Sequence, residues 1–315
     1  MEYKKRLTYI LSLIGALAVI YLASFIFDPE VMGTRNASYF WLDSKLAGRT
    51  ARIVIAKEGD PTVEIVKKSN KWFVLHNGTE YPARQLRVED FIGILTARKV
   101  WPIRSTSASS HEKLGIGTSS ATRITLYGEN STLADLLLGS EDITGQEVYI
   151  RKYGQNEVRS GENLFAAYIS GSVTGWYNLK LIPESEDGKV AVDSVQRLSV
   201  YGPQATQVFS RKNRMWNISG FEVADPDQTS IDSYVREILN LEGDDFVSLI
   251  TDDSSYYENS LVLELGNGGV KTIRISNADE SGGRIALVEG VDYGYSLAAW
   301  AAQRLFRSAK DFEKQ

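Results

Sequence analysis

The chain has 315 residues, no cysteine, two histidines and a formal charge of −5 from 35 basic and 40 acidic side chains. Without cysteine it builds neither disulfides nor thiolate-held zinc or iron–sulfur centres, and its acidic balance disfavours nucleic acid as a partner. At 43% hydrophobic and 24% charged residues, it carries enough apolar side chain for a folded core rather than a disordered coil.

Residues 7–27, LTYILSLIGALAVIYLASFIF, run without a charged side chain. At about 1.5 Å of rise per residue, a helix of that length reaches roughly 30 Å, the thickness of a bilayer's hydrocarbon core. Lys4, Lys5 and Arg6 precede the run and Asp28 and Glu30 follow it, so the positive-inside rule sets the N-terminus in the cytoplasm. A cleaved signal peptide shares the basic start and apolar middle. Its apolar region is shorter, however, and ends on small residues, whereas this one ends on Phe25, Ile26 and Phe27. The expectation is a cytoplasmic tip and transmembrane anchor over residues 1–27, a single pass of the inner (cytoplasmic) membrane with the bilayer as partner, and an extracytoplasmic remainder. Residues 28–50, with Pro29, Gly33, Asn36 and Gly48, read as a juxtamembrane linker. Its Tyr39, Phe40 and Trp41 either rest in the headgroup layer or cap the core of the first domain.

From residue 51 the pattern alternates. Ile53 and Ile55, then Val63 and Ile65, then Trp72 and Val74 predict strands. Ser69-Asn70 and Asn77-Gly78 supply turns between them, the second a hairpin dipeptide tolerant of positive φ. Val88, Phe91, Ile92 and Leu95 stand at i, i+3, i+4, i+7, one apolar face of a helix. Strands are expected around 123–126, 133–138, 148–150 and 157–159, with a short helix at 162–168.

The second half repeats this order. Trp216 in MWNIS answers Trp72 in KWFVL, and Ile231, Tyr234, Val235 and Ile238 reproduce the helical spacing, with Thr229 or Ser230 as its cap. LVLELG at 261–266 echoes RITLYG at 123–128, and residues 295–306 read as a closing helix. The expected class is therefore α+β: a single N-terminal transmembrane helix followed by two tandem copies of a β-meander-plus-helix unit, over residues 51–182 and 190–315. The polar stretch at 183–190 is the expected linker.

Neither His76 nor His111 stands in a metal-ligand or triad spacing. The acidic pairs Glu141-Asp142, Asp244-Asp245 and Asp252-Asp253 lack the alternation of a calcium loop, and the glycine clusters lack the context of a nucleotide site. The expectation is no catalytic residue, no metal and no cofactor. Trp101, Trp176 and Tyr177 are alternative candidates for a stacking platform in a substrate- or glycan-binding module, or else core residues.

Lys71-Trp72, Tyr81-Pro82-Ala83, Leu114-Gly115-Ile116, Leu138-Gly139 and Val148-Tyr149-Ile150-Arg151 occur in that order. In this combination residues 50–180 resemble an uncharacterised bacterial family of unknown function. Its members carry one N-terminal span and are often encoded beside ABC-transporter permease and gliding-type auxiliary subunits. The resemblance implies a context, an accessory role with an envelope or ABC-transporter membrane-protein partner, and supplies no catalytic residue. Strand alternation sets Tyr149 and Arg151 on one face, opposite Val148 and Ile150. That face is expected to be exposed, which makes the pair a candidate partner-binding patch or a sheet-stabilising one. In the second copy Ala286-Leu287-Val288 stand where Tyr149-Ile150-Arg151 stand in the first.

Overall fold

The computed structural model describes residues 13–19, 21, 38–169, 173–182, 190–202, 205–220, 222–223, 225–248 and 254–314. It divides into two compact units, Met1–Tyr177 and Asn178–Gln315.

The first unit contains β1 (Ser38–Tyr39), α1 (Ser44–Ala47), β2 (Arg52–Ala56), β3 (Val63–Lys68), β4 (Lys71–His76) and β5 (Thr79–Pro82). There follow α2 (Gln85–Thr96), β6 (Lys99–Val100), β7 (Ile103–Ser105), β8 (Thr122–Tyr127), β9 (Thr132–Glu141), β10 (Glu147–Lys152), β11 (Val158–Glu162) and α3 (Ala166–Ile169). The second unit contains β12 (Val195–Tyr201), β13 (Thr206–Lys212), β14 (Met215–Ser219), α4 (Gln228–Leu239) and β15 (Asp245–Val247). It closes with β16 (Asn259–Leu265), β17 (Val270–Ile275), β18 (Arg284–Val288), β19 (Gly294–Leu297) and α5 (Ala299–Leu305).

The nine-stranded sheet of the first unit runs β5-β4-β3-β2-β8-β9-β10-β11-β7, and the eight-stranded sheet of the second runs β14-β13-β12-β16-β17-β18-β19-β15. Each is a pair of antiparallel meanders zipped along one central pairing, β2 with β8 or β12 with β16. After the helix and, in the first unit, the short β6, the strand β7 or β15 crosses to the far edge and pairs with β11 or β19.

These sheets correct the expected class. The chain is mostly β, in three antiparallel sheets, because the strands after each helix join the same sheet as the meander before it. Nor does any described helix have the length and apolarity to cross a membrane. Residues 13–19 and Tyr21 are helical, and the rest of the expected span at 7–27 lies outside the described residues, as does most of the linker at 183–190. Residues 38–50, expected in a juxtamembrane linker, belong to the first unit. Trp41 and Leu42 are buried, both of their N–H groups donate to Leu95 O, and the Trp41 ring meets Trp101 edge-on at 5.4 Å. Residues 179–182 do the same service in the second unit, where Leu181 N–H donates to Leu241 O and Gly243 N–H to Leu179 O. Residues 295–306, expected as one helix, divide into the end of β19 and α5, since Tyr295 pairs with Ala286 and Phe246 across the sheet.

The helices bury the apolar stripe their spacing implies. In α2 the buried residues are Val88, Phe91, Ile92 and Leu95, and Phe91 meets Phe165 and Trp176 edge-on at 6.2 and 5.5 Å. In α4 they are Ile231, Tyr234, Val235, Ile238 and Leu239. The Tyr234 ring lies tilted at 5.3 Å to Phe209 and meets Phe312 edge-on at 5.2 Å, while its hydroxyl donates to Leu305 O at 2.5 Å. Asp227 caps α4, its carboxylate accepting from the N–H groups of Thr229 and Ser230, so the acid before them takes the place expected of Thr229 or Ser230.

Burial raises the Tyr234 phenol well above its ordinary value. A phenol that stays protonated in the fold while the unfolded chain ionises contributes stability that is intact at neutral pH and is lost as pH rises above about 10. The second unit should therefore lose stability steeply above that pH. Tyr234→Phe should flatten this alkaline slope in denaturant titrations, and an unchanged slope would assign it elsewhere.

Candidate functional site

Three of the five motifs of the first unit, Leu114-Gly115-Ile116, Leu138-Gly139 and Val148-Tyr149-Ile150-Arg151, converge on one place. The excursion between β7 and β8 folds back over the sheet, where Ile116 and Ala121 pack with Leu137 and Val158, joined by Leu114 and Tyr149. Leu114 O accepts from Ser140 N–H at 3.1 Å, so the Leu114-Gly115-Ile116 and Leu138-Gly139 motifs touch through main chain. Gly115 takes φ of +60°, and a Cβ on Gly139 would lie 2.6 Å from Leu114 O, so both positions need glycine to let the excursion seat.

Tyr149 and Arg151 lie beneath this excursion. Arg151 is 6% exposed; its Nε donates to Ile116 O at 3.1 Å and its Nη1 to Gln155 O at 3.0 Å. Burial draws its guanidinium below the ordinary value. Tyr149 is half-buried and stands opposite Ser160. The expectation of an exposed face is thus corrected: a segment distant in sequence covers it, and the pair fastens that segment to β10. Through the strand registers, Leu138 opposite Ile150 corresponds to Ile275 opposite Ala286. The second unit therefore has Ile285-Ala286-Leu287 at this place, one residue earlier than the sequence comparison suggested.

Trp101, Trp176 and Tyr177 are all buried, so none offers a platform to a sugar. The acidic pairs have local uses. Asp142 accepts from the N–H groups of Gln146 and Glu147 and from the Thr144 hydroxyl, contacts that hold it below the usual carboxylate range, led by the Glu147 N–H. Asp244 accepts from Ala298 N–H at 2.6 Å, whereas Asp252 and Asp253 lie outside the described residues. Among the described residues no three His, Asp or Glu side chains gather as for a metal.

One feature of the repeat is carried by both units. The hairpins β3–β4 and β13–β14 turn through two residues of positive φ, Ser69-Asn70 and Asn213-Arg214, the geometry of a type I′ turn. Two residues around each tryptophan then match, a glutamine and a cation. Trp72 N–H donates to Gln85 Oε1 at 2.8 Å while Gln85 Nε2 donates back to Trp72 O at 3.0 Å. Trp216 and Gln228 do the same at 2.7 and 3.1 Å. Lys67 Nζ lies 5.4 Å from the Trp72 ring centre and Arg211 Cζ 5.3 Å from that of Trp216. The family description "domain of unknown function (DUF4340)" matches residues 72–260, more than half of the chain and parts of both units. The chain belongs to the DUF4340 family. The DUF4340 match begins at Trp72 itself and includes α2, α4 and the Gly115, Gly139, Tyr149 and Arg151 cluster. No curated protein matches the chain.

The last helix of this DUF4340 chain carries an exposed aromatic. On α5 the residues Ala301, Ala302 and Leu305 are buried, which leaves Trp300 off the stripe and 59% exposed. Arg304, one turn on, sets its guanidinium 5.2 Å from the Trp300 ring centre. Both border a groove of about 330 Å³ whose other walls include Ile238, Leu241 and Leu305. The sequence signal was a tryptophan out of phase with its own helix's apolar positions.

Proposed function

We propose that this chain is a membrane-anchored, non-enzymatic accessory protein of the cell envelope whose extracytoplasmic part binds a membrane-protein partner within an ABC-transporter-associated assembly. The uncharged run at residues 7–27 behind Lys4, Lys5 and Arg6 supports an anchor in the cytoplasmic membrane with the N-terminus inside. The family resemblance supports the transporter setting.

The observation that carries partner binding is Trp300. An exposed tryptophan stacked by an arginine beside a largely apolar groove combines the two residue types that dominate interface hot spots. Groove and ring together offer an anchor point that a single exposed aromatic would not.

The test is recovery of transporter permease subunits with the detergent-solubilised full chain after cross-linking in intact cells. Trp300→Ala should leave the denaturant midpoint within about 0.5 kcal/mol of the parent, as for a surface change. It should also cut recovery by tenfold or more, the scale of losing about 2 kcal/mol of contact. Equal recovery from the variant and the parent would sink the reading.

A further inference from the structure

The two tryptophan hairpins differ in one respect that bears on binding. In the second unit the cation over the indole is satisfied from within: Arg211 meets the Asp193 carboxylate at 2.8 Å and donates to Val192 O at 3.1 Å. Both acceptors come from the segment that leads into β12. In the first unit the segment leading into β2 is Gly48-Arg49-Thr50, which has no acid and adds a second cation.

Among the described residues no carboxylate lies within ion-pair distance of Lys67 or Arg49. Both line a polar cleft of about 560 Å³, with Thr50, Asn70, Asn130 and Ser131 around them. Thr50 is 2% exposed, and its Oγ1 has no hydrogen-bond partner. One acid, Glu129, stands at the rim, exposed.

We propose that this cleft of the first unit binds an acidic peptide segment, whose carboxylate takes on Lys67 the place that Asp193 takes on Arg211. The internal template argues for a peptide rather than a bare anion. What satisfies Arg211 is an aspartate together with the main-chain carbonyl before it. The cleft matches that pair of groups, with Lys67 and Arg49 for the carboxylate and Asn70, Asn130 and the Thr50 hydroxyl for peptide groups. The inference does not depend on Trp300, which lies in the other unit.

The test is isothermal titration of the detergent-solubilised full chain with a blocked peptide of alternating glycine and aspartate. A peptide of alternating glycine and asparagine and inorganic phosphate serve as comparison probes. The acidic peptide should bind saturably at one site and the neutral peptide should not. Lys67→Gln and, separately, Arg49→Gln should each weaken binding about tenfold, the scale of one charge-assisted hydrogen bond. Arg211→Gln should change nothing, and Glu129→Gln should tighten binding by removing a like charge. Both cleft side chains reach solvent, so an unchanged denaturant midpoint should certify that the variants fold. The proposal is overturned by no saturable binding, by binding indifferent to both Lys67 and Arg49, or by phosphate competing as well as the peptide. Binding seen only in Glu129→Gln also overturns it, since the cleft would then hold its own counter-ion.

Discussion

Replacing Trp72 or Trp216 by alanine is expected to destabilise the chain by about 3–5 kcal/mol, the range for truncating a buried large aromatic. Both indoles are 3% exposed. The glutamine at the start of the following helix bonds only the main-chain N–H and carbonyl of each tryptophan, contacts that alanine would keep, so the expected loss is that of the buried ring. The Trp216 ring also donates from Nε1 to Asp232 on α4 at 2.7 Å, so its loss leaves a carboxylate without that donor. Each substitution should act first on its own unit. Hydrogen exchange should rise in α2 for Trp72→Ala and in α4 for Trp216→Ala, with the other helix protected. A denaturant midpoint unmoved by either change would mean that the ring is a surface contact and that the hairpin is held by other means.

Gly139→Ala should cost about 1–3 kcal/mol through overpacking. The added methyl would meet Leu114 O at 2.6 Å and Gly115 O at 3.1 Å, main-chain atoms that cannot turn aside. Relief requires the excursion over β9 and β10 to lift, which breaks the Ser140 N–H to Leu114 O bond and the Arg151 contact to Ile116 O. Amide exchange at Ser140 and Ile116 should therefore rise well before global unfolding. Gly93→Ala in α2 is the comparison: nothing lies within 4 Å of its new methyl, and the change should stabilise by up to about 1 kcal/mol. If Gly139→Ala were as benign, the motif would have no packing role.

How far the sequence discloses this fold follows the range of each interaction. The two long helices were legible because their stripe is local, and the four spaced residues in each are buried. Strand positions were legible for the same reason. Sheet membership was not, since nothing near residue 55 announces that it pairs with residue 124. Register between the repeats also slipped by one residue. The likeness of 261–266 to 123–128 sets Leu261 against Arg123, but Leu261 faces Val200 as Ile124 faces Ile55. With side chains alternating every residue, a slip of one exchanges the buried face for the exposed one. The candidate pair Tyr149 and Arg151 failed for a related reason. Alternation places them correctly opposite Val148 and Ile150, yet whether that face meets solvent depends on an excursion some thirty residues earlier in the chain. Trp300 was not legible because periodicity marks residues in phase with the apolar stripe, whereas this ring stands out of phase with Ala301, Ala302 and Leu305.

The zipped meanders have a consequence for how the chain acquires its structure in time. Apart from the crossed edge strands β7 and β15, every pairing within a meander is a hairpin between neighbours, which can form in microseconds once its turn is made. The seam between β2 and β8, or β12 and β16, joins segments separated by the long helix and by five strands in the first unit or three in the second, and it must close that loop before any contact rewards it. Each unit is thus expected to assemble as two quickly made halves that wait on slow long-range steps, the central seam and the docking of the crossed edge strand. During that wait β2, β8, β12 and β16 present raw edges to every other nascent chain. Until the seam closes, those unjoined strands are most able to pair with the wrong partner.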